Sequence, residues 1–595
     1  MGWGEAGVTK GSRPVAVQRG AIEMTSQSQE RVALGGSAVA RLAALAGAAG
    51  LAIALAAALG GAAAGGQAPG AASPSEWFSE VAAEAGIRFV HFNGMTGALY
   101  YPEIVGPGAA LLDYDDDGDL DLYLVQGELL GPGKTLADAT LPPPPGSPPG
   151  DRLYRNDLAV RPDGTRVIRF TDVTEAAGLR REGYGIGVAT GDFDNDGRVD
   201  LYVARYGSNT LWRNHGDGTF GDVTARAGVD DPRLSVSASF FDLDRDGWLD
   251  LYVVNHVAFD LTAHKPCVGP LGSLEYCATR MYPRVPGSLF RNRGDGTFED
   301  VSQPAGVTAA FGAGLGVVSA DFNGDGWADL YVANDGDPNQ LWLNQGDGTF
   351  RDEALLAGAA VNADGANEAG MGVDAGDFDG DGDEDLFLSH DTQETNTLYV
   401  NDGTGWFQDR STETGVGPPS LPFTGFGAGW VDYDNDGWLD LFVANGAVRR
   451  MGEAKVTVDP FPLRQTNQLF ANLGNGRFRE VTGEAGAAFR AAAVGRGAAF
   501  GDVDNDGDVD VLVANNSGPP ALLLNQIGSR NRWVGLRLLD AAGRDALGAR
   551  VALELDSGGT LWRRVHTDGS YASASDPRLV IGLGQAGVRG LRVHW

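Results

Sequence analysis

The chain has 595 residues, with 45 basic and 79 acidic side chains, a formal net charge of −34 and two cysteines. An acidic surface repels phosphates and no basic patch stands out, so a nucleic-acid partner is not expected. Length alone allows several domains, but the chain is internally repetitive, and repeats share one body.

Residues 1–74 read as a leader. An 18-residue apolar run, 42–59, follows Arg31 and Arg41 and precedes Ala62, Ala63 and Ala64. This is the pattern of a secretory signal with a long charged lead, in which Met24 is a second candidate start; cleavage is expected between Ala62 and Pro74. An uncleaved membrane anchor is the alternative, since 18 residues are just long enough to span. Either way the remainder is secreted, periplasmic or on the cell surface, and membrane contact is expected only through that segment.

Beyond the leader two motifs alternate, each seven times. The first is a nine-residue acidic loop, D-x-[D/N]-x-D-G-x-x-D, followed by an apolar strand. Positions 1, 3, 5 and 9 hold Asp113, Asp115, Asp117 and Asp121 in the first copy, and Asp192, Asp194, Asp196 and Asp200 in the second. The third has Asp242, Asp244, Asp246 and Asp250; the fourth Asp321, Asn323, Asp325 and Asp329. Asp377, Asp379, Asp381 and Asp385 form the fifth, Asp432, Asp434, Asp436 and Asp440 the sixth, and Asp502, Asp504, Asp506 and Asp510 the seventh. Those side chains, with a backbone carbonyl at position 7, can surround one hard cation. Calcium takes six to eight oxygens in a flexible shell, so up to seven calcium ions are the expected cofactors. Glycine at position 6 permits the sharp turn.

An EF-hand is excluded, because its Glu at position 12 is replaced by Leu124, Val203, Val253, Val332, Leu388, Val443 and Val513. The residues after position 9 are β-branched and aromatic, so the loop joins two strands. A solvated acidic turn would explain one copy but not seven at one spacing. The ligand positions hold 27 of the 79 acidic residues, and the acidity is in part ligand inventory.

The second motif begins at Asn214, turns through Asp217-Gly218 and reaches Phe220, Asp222, Val223 and Thr224; related units contain Phe78, Phe170, Phe298, Phe350, Phe407 and Phe478. Asp-Gly and Asn-Gly between apolar runs favour hairpins. Each repeat therefore reads strand, acidic loop, strand, crossover, strand, turn, strand. Seven such units over 77–526 give an all-β fold, a seven-bladed β-propeller. The first copy of the second motif, 77–87, precedes any acidic loop, and the last acidic loop lacks a following copy. The N-terminal segment is thus expected to supply the outer strand of the last blade, against 522–525, which removes free sheet edges.

Insertions at 127–150, 259–287 and 448–463 read as long loops, the usual carriers of binding function. Cys267 and Cys277, nine residues apart inside the second, suit a disulfide better than any common zinc pattern. From 529 to 595 apolar and polar residues alternate, at 533–538, 549–555 and 561–566, as in a small β domain.

The acidic loops and their Phe-x-Asp-Val-Thr partners resemble the FG-GAP/VCBS repeats of integrin α-chain propellers and many bacterial surface proteins. The segments at Asn531–Leu536 and Gly548–Val551, with Ile581-Gly-Leu-Gly and the closing Leu591-Arg-Val-His-Trp595, resemble the ASPIC/UnbV domain. Together with His91–Gly94 and Pro102–Gly108 they resemble the cartilage-acidic-protein-like family over about 77–595. The resemblance implies a calcium-binding propeller with a matrix or adhesion role, and an ASPIC/UnbV domain that normally continues past Trp595.

Catalytic patterns are weak. Gly582, Gly584 and Gly587 spell G-x-G-x-x-G, but a dinucleotide fold needs a longer βαβ unit than the eight residues that follow. The stretch from Gly127 to Lys134-Thr135 has one residue too many for a P-loop. No G-x-S-x-G or H-E-x-x-H occurs, and of seven scattered histidines His91 and His256 are the two of interest. The pairs Gly185/Gly187, Gly370/Gly372 and Gly425/Gly427 fit innermost strands crowded around an axis. The reading is a non-enzymatic extracellular module for a protein or polysaccharide; the alternative is a secreted glycan-active enzyme with a site in the propeller funnel.

Overall fold

The computed structural model describes residues 21–25, 76–145, 149–180, 183–269, 272–449 and 461–595. The apolar run 42–59 and the cleavage region lie outside these residues. A short strand within the leader, Ala21–Thr25, pairs antiparallel with Arg532–Leu539. No helix of the described residues is long and apolar enough to cross a membrane.

Seven four-stranded antiparallel sheets make up the bulk of the protein. The second is representative: Tyr184–Gly191, Asp200–Tyr206, Thr210–Asn214 and Phe220–Asp222 follow one another in chain order from inside to outside. The innermost strands of sheets one to seven are Ala109–Leu112, Tyr184–Gly191, Ser235–Phe241, Gly314–Ala320, Val373–Gly376, Gly425–Val431 and Gly495–Gly501. Each touches the next, and the seventh touches the first, so the sheets are blades of a closed propeller. Inner and second strands are buried on both faces, which explains their near-continuous apolar runs. The seven phenylalanines of the second motif each open an outer strand and are at most 6% exposed, filling the space between blades.

The ring closes as the sequence led one to expect. Strand Phe78–Glu80 pairs with Ala521–Asn525, placing Phe78 opposite Asn525 and Glu80 opposite Leu523. The acidic loops join first to second strands and lie at one end of the ring. All three insertions join second to third strands and so lie at the other end. Cys267 and Cys277 form the disulfide, across the two-stranded ribbon Cys267–Val268 and Leu274–Glu275. Of the third insertion, residues 450–460 lie outside the described residues.

The C-terminal region forms two sheets around its own apolar cluster, which includes Leu536, Val551, Val565 and Ile581. The G-x-G-x-x-G stretch is the end of strand Leu579–Gly584 and the turn that leads to Val588–His594. One part of this region leaves its own domain. Residues 567–576, rich in Ser, Ala and Gly, run down the propeller axis and meet every blade. Leu111 N–H donates to Ala574 O and Val188 N–H to Ala572 O, both at 3.0 Å, and Ala572 N–H donates to Ser237 Oγ at 3.0 Å. Ser319 Oγ donates to Asp568 at 2.6 Å, and Val373 N–H to Ser570 O at 3.0 Å. Tyr571 packs edge-on against Phe426 at 4.9 Å, and Asp576 N–H donates to Phe500 O at 3.0 Å. From the far end the Tyr571 hydroxyl reaches Val105 O at 2.9 Å.

The axial glycines are explained by this crowding. A β-carbon on Gly187 would overlap the Val236 carbonyl and press on Ala572; one on Gly372 would overlap the Phe426 carbonyl. The centre of the ring is therefore occupied by the chain's own 567–576 segment, whose small residues Ala572 and Ser573 lie against the axial glycines Gly187 and Gly497.

Candidate metal centres

All seven acidic loops share one hydrogen-bond scaffold. The position-1 carboxylate turns the chain back on itself, its Oδ2 accepting the N–H of the position-6 glycine at 2.7–3.2 Å in every loop. The position-5 carboxylate accepts the N–H of position 7 at 2.8–3.2 Å, again in every loop. Position 4 adopts positive φ throughout, from 54° at Asn435 to 81° at Gly380, which aims positions 3 and 5 toward the same centre.

Position 9 opens the second strand and is buried. Its Oδ1 accepts the N–H of an asparagine at the end of the third strand, at 2.7–2.9 Å, in all seven blades. These residues are Asn156, Asn214, Asn292, Asn344, Asn401, Asn472 and Asn525, of which the sequence reading singles out only Asn214, as the start of the second motif. Each also extends its side-chain amide to the position-2 carbonyl of the preceding blade's acidic loop, at 2.7–3.0 Å. The last link, Asn156 to Val503, joins the first blade to the seventh. For five of them, Asn214, Asn292, Asn344, Asn401 and Asn472, the Asn-x-Gly-x-Gly-x-Phe pattern was the signal available.

The loops gather acids at ligand spacing. Ligand atoms of Asp113, Asp115 and Asp121 lie within 4.8 Å of one another, as do those of Asp192, Asp194 and Asp200. The same holds for Asp242, Asp244 and Asp246, for Asp377, Asp379 and Asp385, and for Asp432, Asp434 and Asp440. At position 3 of those five loops one buried oxygen has no hydrogen-bond partner: Asp115, Asp194, Asp244, Asp379 and Asp434 Oδ1. Asp242 Oδ1 and Asp385 Oδ2 are likewise unpartnered. Buried, unpaired anionic oxygens are costly unless a cation or proton answers them, and an all-oxygen donor set suits calcium. The fourth loop differs: Asn323 donates to and accepts from Asp325. In the second, Arg213 salt-bridges both Asp194 and Asp196.

Burial pushes these carboxyls up, with neighbouring acids adding to the effect. At position 1, Asp113 and Asp192 rise to about 6, Asp377 and Asp432 to about 7 and Asp502 to about 8. At position 9, Asp250 and Asp329 rise to about 8 and Asp121 to about 9, and Asp200, Asp385, Asp440 and Asp510 rise well above the usual range. A carboxyl raised in the fold contributes stability that is complete below its unfolded value of about 4 and is lost as pH climbs through the folded value. Metal-stripped protein should therefore melt at progressively higher temperature as pH falls through the window from about 9 to about 6 set by these groups. Calcium-loaded protein should not, because protons compete with the ion. Melting curves of both forms across this range check the sign; a stripped protein that is most stable at the alkaline end contradicts it.

His91 and His256 are both buried, at 3% and 0% exposure. Burial, with Arg496 nearby, lowers His91 to about 3, and its Nδ1 accepts Ser517 N–H at 3.1 Å. Burial lowers His256 to about 4, and it bonds the Tyr101 hydroxyl at 2.9 Å and Gly314 O at 3.1 Å. Both lie buried beneath the insertion-bearing face.

Residues 192–253, 276–332, 321–388, 377–443 and 461–513 match the FG-GAP-like repeat, and residues 540–595 match ASPIC and UnbV. The chain is an FG-GAP-repeat protein with a C-terminal ASPIC/UnbV domain. Three of the matched repeats begin on the first aspartate of an acidic loop, at Asp192, Asp321 and Asp377. Cartilage acidic protein 1 of Mus musculus is 27% identical over 310 residues, 51% of this chain and 45% of that protein. The Homo sapiens protein is 27% identical over 307 residues, 51% and 44% respectively. The match thus spans less than half the length of these relatives. Among solved structures, the BP39L lectin of Burkholderia pseudomallei is 10% identical and aligns over 74% of this chain and 98% of its own, with a TM-score of 0.39.

Proposed function

We propose that this FG-GAP protein is a secreted, non-catalytic calcium-binding propeller that presents its insertion-bearing face to an extracellular protein or polysaccharide. The observation that carries the calcium reading is the buried, unpartnered position-3 oxygen converging with neighbouring carboxylates in five loops. The disulfide and the leader support an oxidising, calcium-rich compartment. The loop end of the ring is taken up by the C-terminal domain, which leaves the insertion end for a partner. There the disulfide-bearing insertion exposes Val268 and Leu274, cross-strand partners, at 68% and 59%, and Met281 at 61%, and apolar exposure on a rigid scaffold is a mark of a binding surface.

Glycan and extracellular-protein arrays probed with the calcium-loaded chain test this, alongside polysaccharide turnover assays. Saturable binding without turnover, weakened by Val268→Asp with Met281→Asp, is expected. Turnover of a bound polysaccharide would replace the proposal with the enzymatic alternative.

A further inference from the structure

The position-4 side chains do more than shape their own loops. Asn195 Nδ2 donates to the carbonyl of Gly247, the position-6 glycine of the next loop round the ring, at 2.9 Å. Arg245 does the same to Gly326, with its guanidinium 4.7 Å over the Trp327 ring. Asn435 reaches Gly507 O at 2.8 Å, and Asn505 reaches Gly118 O at 3.3 Å. Each of these contacts clasps one loop to the turn of its successor at the glycine that precedes the position-7 carbonyl.

In the fourth and fifth loops position 4 is glycine, Gly324 and Gly380, and neither can clasp its successor. Asp116 of the first loop, a carboxylate, cannot donate to Gly197 O either; the two carbonyls that follow a position-4 glycine are those of Gly382 and Gly437. Both are taken by the C-terminal domain: Arg550 donates to Gly382 O, and Arg563 to Gly437 O at 2.9 Å. A second contact reaches the same fifth loop. Its position 8 is Glu384, where every other loop has an apolar residue, and Glu384 lies 3.6 Å from both Arg550 and Arg564.

We infer that Arg550 and Arg563 are positioning residues for the fifth and sixth metal loops, replacing the clasps those loops lack, so that calcium binding there depends on the docked C-terminal domain. The inference rests on the calcium reading above. A hydrogen bond to the backbone of a ligating turn fixes the donor set before the ion arrives, and loss of such outer contacts costs about 10–100-fold in metal affinity.

Calcium titration of the full chain against a competing chelator, comparing wild type with Arg550→Ala/Arg563→Ala, reads the effect. Two sites should weaken by about 10–100-fold while the others keep their affinity. Adding Gly324→Asn and Gly380→Asn supplies side-chain clasps at positions already at positive φ, 71° and 81° against 54–60° in the other loops, with room for a β-carbon, whose nearest neighbours would lie at 3.5 and 3.4 Å. The quadruple variant should recover the two sites. If the double variant does not fold, recovery of a calcium-dependent melting transition in the quadruple variant carries the same meaning. Unchanged affinity at every site in the double variant, or a quadruple variant no better than the double, overturns the inference. Wild-type protein that takes up no calcium overturns the calcium reading instead.

Discussion

Stripping its metal is expected to remove most of this propeller's thermal stability, with calcium restoring it and magnesium restoring far less. Each loop gathers acids that burial already penalises, and every loop is stitched to its neighbour through an asparagine. An unanswered loop therefore strains two blades. A site held at a hundred times its dissociation constant adds about 2.7 kcal/mol. A domain's whole margin is about 5–15 kcal/mol, so losing several sites consumes it. Magnesium is the weaker substitute because it demands a strict octahedron and sheds water reluctantly. Melting curves before and after chelation, with metal content measured on the same samples, decide the matter. A metal-free protein that melts where the loaded one does contradicts it.

Deleting residues 77–87 should destabilise the whole ring rather than trim one blade. Phe78 is 1% exposed and packs with Val431, Tyr433, Phe442 and Leu523, and Trp77 stacks on Tyr433 at 5.4 Å. Burying contacts on this scale makes Phe78→Ala alone worth about 3–5 kcal/mol. The deletion adds a free edge on strand Ala521–Asn525 and should promote aggregation. Chemical denaturation followed by tryptophan fluorescence should show a single transition moved to lower denaturant. A deletion variant with the wild-type midpoint would mean the ring does not depend on its closing strand.

The blades, their order and their closure were legible because a fixed spacing repeats seven times, and a period survives local variation. The acidic loops were legible for the same reason, and the structure draws positions 1, 3 and 9 together in at least four of them. What escaped was the axial segment 567–576, since Ser, Ala and Gly carry no periodic signal and their importance lies only in fitting where seven strands converge. The stitching asparagines escaped because their partners are a backbone carbonyl of the preceding blade and a carboxylate of another strand, contacts that no local spacing records. The arginines of the C-terminal domain escaped because their targets are backbone carbonyls, which leave no trace in sequence. The position-4 glycines did leave one, visible once the other loops showed what a side chain does there.

Metal content of the purified full chain, equilibrated in millimolar calcium and then freed of unbound ion, tests the central claim most directly. The account predicts close to one calcium ion for each of the seven loops, with Asp115→Ala and Asp379→Ala each removing one ion and leaving the chain folded. A folded chain carrying no stoichiometric calcium, or one whose calcium content ignores both substitutions, contradicts it.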